Sequence, residues 1–353
     1  MTAGRDRITA AFTEQADVCR RMGSPFTGDL LNLLKDQLDP DSPVGQAVFG
    51  WPGDPYPDAL ALRLAGALHG LALDGSAPDL TRAYPPARSR PEALWTTVET
   101  ALEDHAARIC AWLERPPQTN EVARSAMLLP GLLDIARHTG KPLCLLEIGA
   151  SGGLNLQCDR FAVRYGDVAW GNAASPVRLA PEVRGTPPPL SGDLQVTARA
   201  GCDANPLNPG NAEDRLRLTA FTWPDQPDRL QRLAAALDIA ANADMRIDRV
   251  DAADWVEARL AARPENCCTV LFHTVVWQYL PDDTQARIES ALRSAGETAD
   301  VASPLAWLRM EGTGGRGFAQ LEVTLWPGGE RRHLANCDWH GRWIEWLDPP
   351  VGL

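Results

Sequence analysis

Leu143-Cys144-Leu145-Leu146-Glu147-Ile148-Gly149-Ala150-Ser151-Gly152-Gly153-Leu154-Asn155 is the stretch that decides the fold. Its first half is an apolar run of strand length, and closely spaced small residues follow at once. That is the pattern of a buried strand entering a tight turn. Glycine permits such a turn and lets a ligand lie close to the backbone. A helix starting beyond the turn would offer unpaired N–H groups and a partial positive charge.

Downstream, further strand-like runs occur at residues 195–202, 245–250, 267–273 and 305–310, with helical segments at 229–241 and 282–295. Strands alternating with helices imply βαβ units and a parallel sheet. The tail changes character. Residues 321–326, the turn Pro327-Gly328-Gly329, and runs around 332–337 and 342–347 predict an antiparallel meander on the sheet's edge. Residues 160–192 are rich in Pro and Gly and read as an insertion, a loop or small hairpin over the site. Upstream the periodicity is helical. Residues 59–68 and 91–113 form helices, and 121–138 a third, broken near Pro130-Gly131. The expected organisation is a helical N-terminal domain at 1–140 and an α/β domain at 141–353.

The chain has 353 residues, with 34 Lys and Arg against 46 Asp and Glu, a net charge of −12. With 44% hydrophobic residues, a large core is available. An acidic chain without a basic run is a poor ligand for nucleic-acid backbone. No segment approaches the ~20 apolar residues of a membrane span. The N-terminus lacks the apolar core of a signal peptide, so a cytoplasmic protein is expected. Among the eight cysteines, Cys144, Cys267 and Cys268 lie in apolar runs and read as small buried hydrophobes. His333, Cys337 and His340 come nearest to a metal set, and their ordinary reading is hairpin residues; no metal is expected.

The turn fits E-x-G-x-S-x-G, which resembles the first motif of class I S-adenosylmethionine (SAM) dependent methyltransferases. Glu147, Gly149 and Gly153 match, and Ser151 stands for the middle glycine as a small substitute. The resemblance implies a Rossmann-like sheet with SAM as cofactor, its methionine portion over Glu147 and the glycine backbone against it. It further implies that Asp203, ending the second strand, holds the ribose hydroxyls. Asp251, with Ala252, would lie beside the adenine, which Trp255 would cover. His273 ends the fourth strand, where such enzymes face cofactor and substrate, and Glu311 ends the fifth.

A narrower resemblance covers most of the chain. Thr119-Asn120-Glu121-Val122-Ala123-Arg124-Ser125-Ala126, the turn itself, Asp159-Arg160-Phe161, Leu308-Arg309-Met310-Glu311 and Trp326-Pro327-Gly328-Gly329 are similar to the bacterial domain-of-unknown-function family numbered 2332. This implies the methyltransferase-like fold and no particular reaction.

The expected activity is methyl transfer to a small molecule or protein side chain. Positioning the methyl group beside a nucleophile can suffice, so no dedicated catalytic residue is required. His273 and Glu311 are the candidates to take a proton. The ordinary reading of His273, a satisfied core or rim histidine, weighs at least as much. Asn120, Glu121 and Arg124 are expected on one helix, lining the cleft and choosing the substrate; the ordinary reading is a surface pair between Glu121 and Arg124. Carboxylates gathered at strand ends would suit a cationic or amine-bearing acceptor.

Two other functions compete. Gly149-Ala150-Ser151-Gly152-Gly153 also fits G-x-S-x-G, the nucleophile elbow of serine hydrolases, with Asp251 or Asp300 and then His333 or His340 in the required order. A helical N-terminal part and the lack of an oxyanion segment weigh against it. A non-catalytic protein that binds SAM or a nucleotide is the third reading. Nicotinamide binding fails on spacing, because Gly149 is followed by Ser151 and Leu154 where glycines are needed.

Overall fold

A computed structural model describes residues 2–118, 120–315 and 317–347; Thr119, the first residue of one family segment, lies outside them. Helices α1 (Thr2–Arg21), α2 (Pro25–Gln37), α3 (Pro43–Phe49), α4 (Leu60–Leu73), α5 (Pro78–Ala83), α6 (Pro91–Asp104) and α7 (Ala106–Leu113) open the chain. Then come α8 (Ser125–Thr139), β1 (Leu143–Ile148), β2 (Ala162–Tyr165), β3 (Val168–Trp170), β4 (Arg178–Leu179), β5 (Glu182–Arg184) and β6 (Val196–Asp203). Helices α9 (Ala212–Ala220) and α10 (Pro227–Ala241) precede β7 (Arg246–Arg249), α11 (Ala252–Ala261), β8 (Cys268–Thr274) and α12 (Asp282–Glu297). Strands β9 (Leu305–Gly312), β10 (Ala319–Trp326), β11 (Glu330–Cys337) and β12 (Trp343–Trp346) complete it. Among the described residues no helix is long and apolar enough to cross a membrane.

The chain divides into two compact units. One holds residues 1–119 and 211–234, the other 120–210 and 235–353. The division thus falls about twenty residues before the expected boundary near 140, and a later segment returns to the helical unit. The helical unit needs that segment. Ala220 and Phe221 join the apolar cluster of Leu31, Leu34, Leu64, Leu68 and Val98. The Asp225 carboxylate accepts the Phe26 N–H at 2.9 Å, an acid at the positive end of α2. The single helix expected over 91–113 is two, α6 and α7, parted at His105. α6 packs on α5 while α7 packs on α3 and α4, which one straight rod cannot do.

The second unit is mixed α/β and contains a nine-stranded sheet in the order β5-β12-β11-β10-β9-β8-β1-β6-β7. From β7 to β9 every neighbouring pair is parallel. β1 lies between β6 and β8 and is buried along its whole length, so both its faces are covered. The meander β9-β10-β11-β12 is antiparallel, as expected. Both faces of the sheet carry helices. Trp307 packs in the cluster of α11 and α12 with Leu146, Val256 and Ile288. The next residue, Leu308, points the other way, and a Cβ on Gly131 of α8 would lie 2.8 Å from it.

Two expectations change. The insertion folds as a small sheet, β3-β2-β4, and β5 pairs with β12 at the far edge of the large sheet, away from β1. α8 is unbroken, with Pro130 inside it. Proline supplies no N–H to the Ala126 carbonyl one turn earlier. The buried Tyr165 hydroxyl donates to that carbonyl instead, so the helix continues.

Candidate functional site

In parallel strands all carboxyl ends lie on one edge of the sheet. Glu147, Asp203, His273 and Glu311 therefore share that edge, with Asp251 just beyond β7. The chain runs from β1 to β6 and β7, then crosses back to β8 and β9. The strand order thus reverses between β1 and β8, where open α/β sheets bind ligands.

The turn after β1 needs backbone that L-residues avoid. Gly149 has φ +67°, Ser151 +51° and Gly153 +69°. Three of its N–H groups are committed to the protein: Ala150 donates to Cys202, Gly153 to Ala150, and Ser151 to the Asp203 carboxylate at 2.9 Å. Asn120 clamps the turn from outside, accepting the Leu154 N–H at 3.0 Å and donating to the Ala150 carbonyl at 3.3 Å. A Cβ on Gly149 would lie 2.6 Å from Val276, so that glycine accommodates the protein's own side chain. The expected α-helix beyond the turn is a six-residue 3-10 helix, Asn155–Arg160. A helix that short contributes little dipole.

Beneath the turn, Glu147 is 1% exposed. Burial, and then the charge of Asp203, push its carboxyl well above the usual range, opposed by an Asn155 hydrogen bond and the Arg124 charge. Among the described residues its Oε2 has no hydrogen-bond partner, and neither has the buried Ser151 hydroxyl. Ser125 in turn donates to Asn155 at 2.8 Å.

One strand over, His273 and Glu311 meet. His273 Nδ1 lies 2.6 Å from Glu311 Oε1, and the Val276 N–H donates to the same oxygen at 3.1 Å. The Trp307 indole N–H donates to His273 Nε2 at 3.1 Å. That fixes the neutral tautomer with its proton on Nδ1. Trp277 stacks on the imidazole at 5.0 Å. Val275, just before, has φ +54°, an unusual conformation for a β-branched residue and one found at functional sites.

A family profile described as "Uncharacterized protein conserved in bacteria (DUF2332)" matches residues 9–346. The chain belongs to the DUF2332 family. No curated protein and no solved structure matches it.

In this DUF2332 member the other expected site residues have local duties. Asp251 is exposed and caps α11, accepting the N–H groups of Ala253 and Asp254. Ala252 is buried at the start of that helix. Trp255 is only 5% exposed; it packs in the core and donates to Asp248, so no face is left to cover a ring. Four strand intervals separate β7 from β9, roughly 19 Å. Asp251 and Glu311 thus do not converge on one point. Asn120 and Glu121 precede a 3-10 turn, Val122–Arg124, instead of riding a helix, and they belong to the sheet unit. Glu121 caps that turn through Ala123. Arg124 donates to the Trp339 and Thr274 carbonyls.

Sequence reasoning missed Val276, Trp277 and Trp307, which frame the histidine. Trp307 had one available signal: an indole N–H inside an apolar strand must find an acceptor. Val275 had none, since nothing in its neighbours announces a positive φ.

Proposed function

We propose that this DUF2332 member is a SAM-dependent methyltransferase with a Rossmann-like sheet, acting on a small molecule or protein side chain in the cytoplasm. The reading is supported above all by an acid-and-glycine turn at the point where the strand order reverses, with the Asp203 carboxylate 2.9 Å from the Ser151 nitrogen. The free state of all eight cysteines suits a reducing compartment.

Two buried polar atoms at the turn, Glu147 Oε2 and Ser151 Oγ, lack partners among the described residues, and a polar ligand there would supply them. The turn's N–H groups are largely used already. SAM would therefore be held by the side chains of Glu147, Ser151 and Asp203 more than by a backbone cradle. When bound, SAM supplies an electrophilic methyl group. Burial biases Glu147 toward its neutral form, which can donate a hydrogen bond in this site. Asp203 spans the turn and the end of β6, accepting from Ser151 and Asn205, and fixes their separation.

One observation favours the hydrolase: Ser151 has the positive φ of a nucleophile on a strained elbow. Its hydroxyl, however, has no hydrogen-bond partner among the described residues. His333 lies on β11, four strand intervals from β1, or roughly 19 Å.

Isothermal calorimetry with S-adenosylhomocysteine tests the proposal. Saturable heat is expected at millimolar ligand or below. Its absence with folded protein rejects the reading, and labelling of Ser151 by a fluorophosphonate probe would replace it with the hydrolase. Binding of the probe ligand without any turnover would favour the non-catalytic alternative.

A further inference from the structure

His273 and Glu311 resemble an acid–base pair, but their hydrogen bonds divide the work unequally. His273 is 0% exposed, and its Nε2 already accepts the Trp307 N–H. A protonated imidazole would turn a second N–H against that indole N–H, so the Trp307 bond selects the neutral ring. The Glu311 charge is therefore not neutralised by His273. Among the described residues no Lys or Arg is paired with it either. Oε1 holds two donors, His273 and Val276, while Oε2 has no hydrogen-bond partner among the described residues. The side chain is 16% exposed, so it is neither sealed off nor freely solvated. Backbone strain at Val275 accompanies the delivery of the Val276 N–H to this carboxylate.

We propose that Glu311 Oε2 is the recognition point for a primary alkylammonium group, and that His273 is a positioning residue that aims it. As the subsite of a methyl acceptor it rests on the methyltransferase reading; as a cation subsite it does not. An ammonium N–H meets both the free lone pairs and the unbalanced charge, and charge-assisted hydrogen bonds are the strong ones. A neutral hydroxyl would meet only the first need. The chain's net charge of −12 also favours approach of cations.

Trp277 and Trp307 adjoin His273 and serve as reporters. In full-length protein carrying 5-fluorotryptophan, their fluorine resonances are assigned through Trp277→Phe and Trp307→Phe. The wild type is titrated with n-butylammonium chloride, with sodium butyrate at equal ionic strength as the control. A saturable shift with the ammonium alone is expected, weakened at least tenfold in Glu311→Gln. The amide oxygen of that variant still accepts from His273 and Val276, which preserves the local fold. The nitrogen-15 shifts of His273 should report the Nδ1–H tautomer, and Trp307→Phe should release it. No saturation by 100 mM in the wild type, equal response to butyrate, or unchanged affinity in Glu311→Gln overturns the proposal. A parallel titration with Nα-acetyl-lysine amide separates two sources of the same group. Binding of both probes upholds the subsite and points to a lysine side chain; binding of butylammonium alone upholds it for a small amine. Ammonium binding without S-adenosylhomocysteine binding would reject the methyltransferase and keep the subsite; the reverse would reject the subsite alone.

Discussion

Ser151 holds a left-handed backbone with its hydroxyl buried and unpartnered, two features that each oppose folding. Ser151→Gly should therefore stabilise the protein by about 0.5–1 kcal/mol in urea unfolding, and S-adenosylhomocysteine should still bind through Glu147 and Asp203, less tightly by the lost hydroxyl contact. A loss of stability would show that the hydroxyl has a partner in solution. Glu147 gives a pH signature. Its folded carboxyl keeps its proton more tightly than an unfolded one. Its contribution to stability is thus complete below the ordinary value of about 4.3 and is lost as pH rises above it. Glu147→Gln cannot ionise. Its stability relative to wild type should grow by about 1.4 kcal/mol per pH unit from pH 5 upward, until the folded carboxyl itself ionises. A pH-independent difference between the two proteins would mean that Glu147 is charged when folded. Residue chemistry was only partly legible in the sequence. Acids at strand ends stood out, yet Asp251 proved to be a helix cap, because capping and ligand binding select the same short carboxylate. His273 and Glu311 are 38 positions apart, and their contact follows only from β8 and β9 being neighbours.

The segment before α8 acts as a clamp on the turn after β1. Asn120→Ala would leave the Leu154 N–H without its partner among the described residues, while the Ala150 carbonyl keeps the Gly153 N–H. We expect a loss of about 1–3 kcal/mol by urea unfolding, most of it recovered in Asn120→Asp, whose carboxylate can still accept from Leu154. A loss under 1 kcal/mol would mean that water replaces the clamp. Strands β1, β8 and β9 were legible because a central parallel strand must be apolar or nearly so for most of its length, whereas β6 and the edge strand β7 are partly exposed and were legible from the strand–helix alternation around them. β2, β3, β4 and β5 were not. They span two to four residues, several of them exposed, and only their partners make them strands. The same holds for the parting of α6 from α7, which is set by the helices each one packs against. Pro130 misled for a related reason: its cost was offset by Tyr165, 35 positions away.

Three passages of the chain between the two units have a consequence for any attempt to cut it. Cut where the change of periodicity invites it, a 1–140 fragment lacks Ala220, Phe221 and Asp225, and a 141–353 fragment lacks Asn120 and all of α8. Neither should show a cooperative thermal transition or dispersed amide resonances when produced separately; two well-folded fragments would contradict the division. The same discontinuity reaches into biosynthesis. The N-terminal helices leave the ribosome about ninety residues before the segment that fills their cluster. At 5–20 residues per second, the seat of Phe221 stays open to water for roughly 5–20 s in every nascent chain. For that interval each new molecule presents an unsealed greasy groove, a ready target for chaperones and for neighbouring chains on the same polysome.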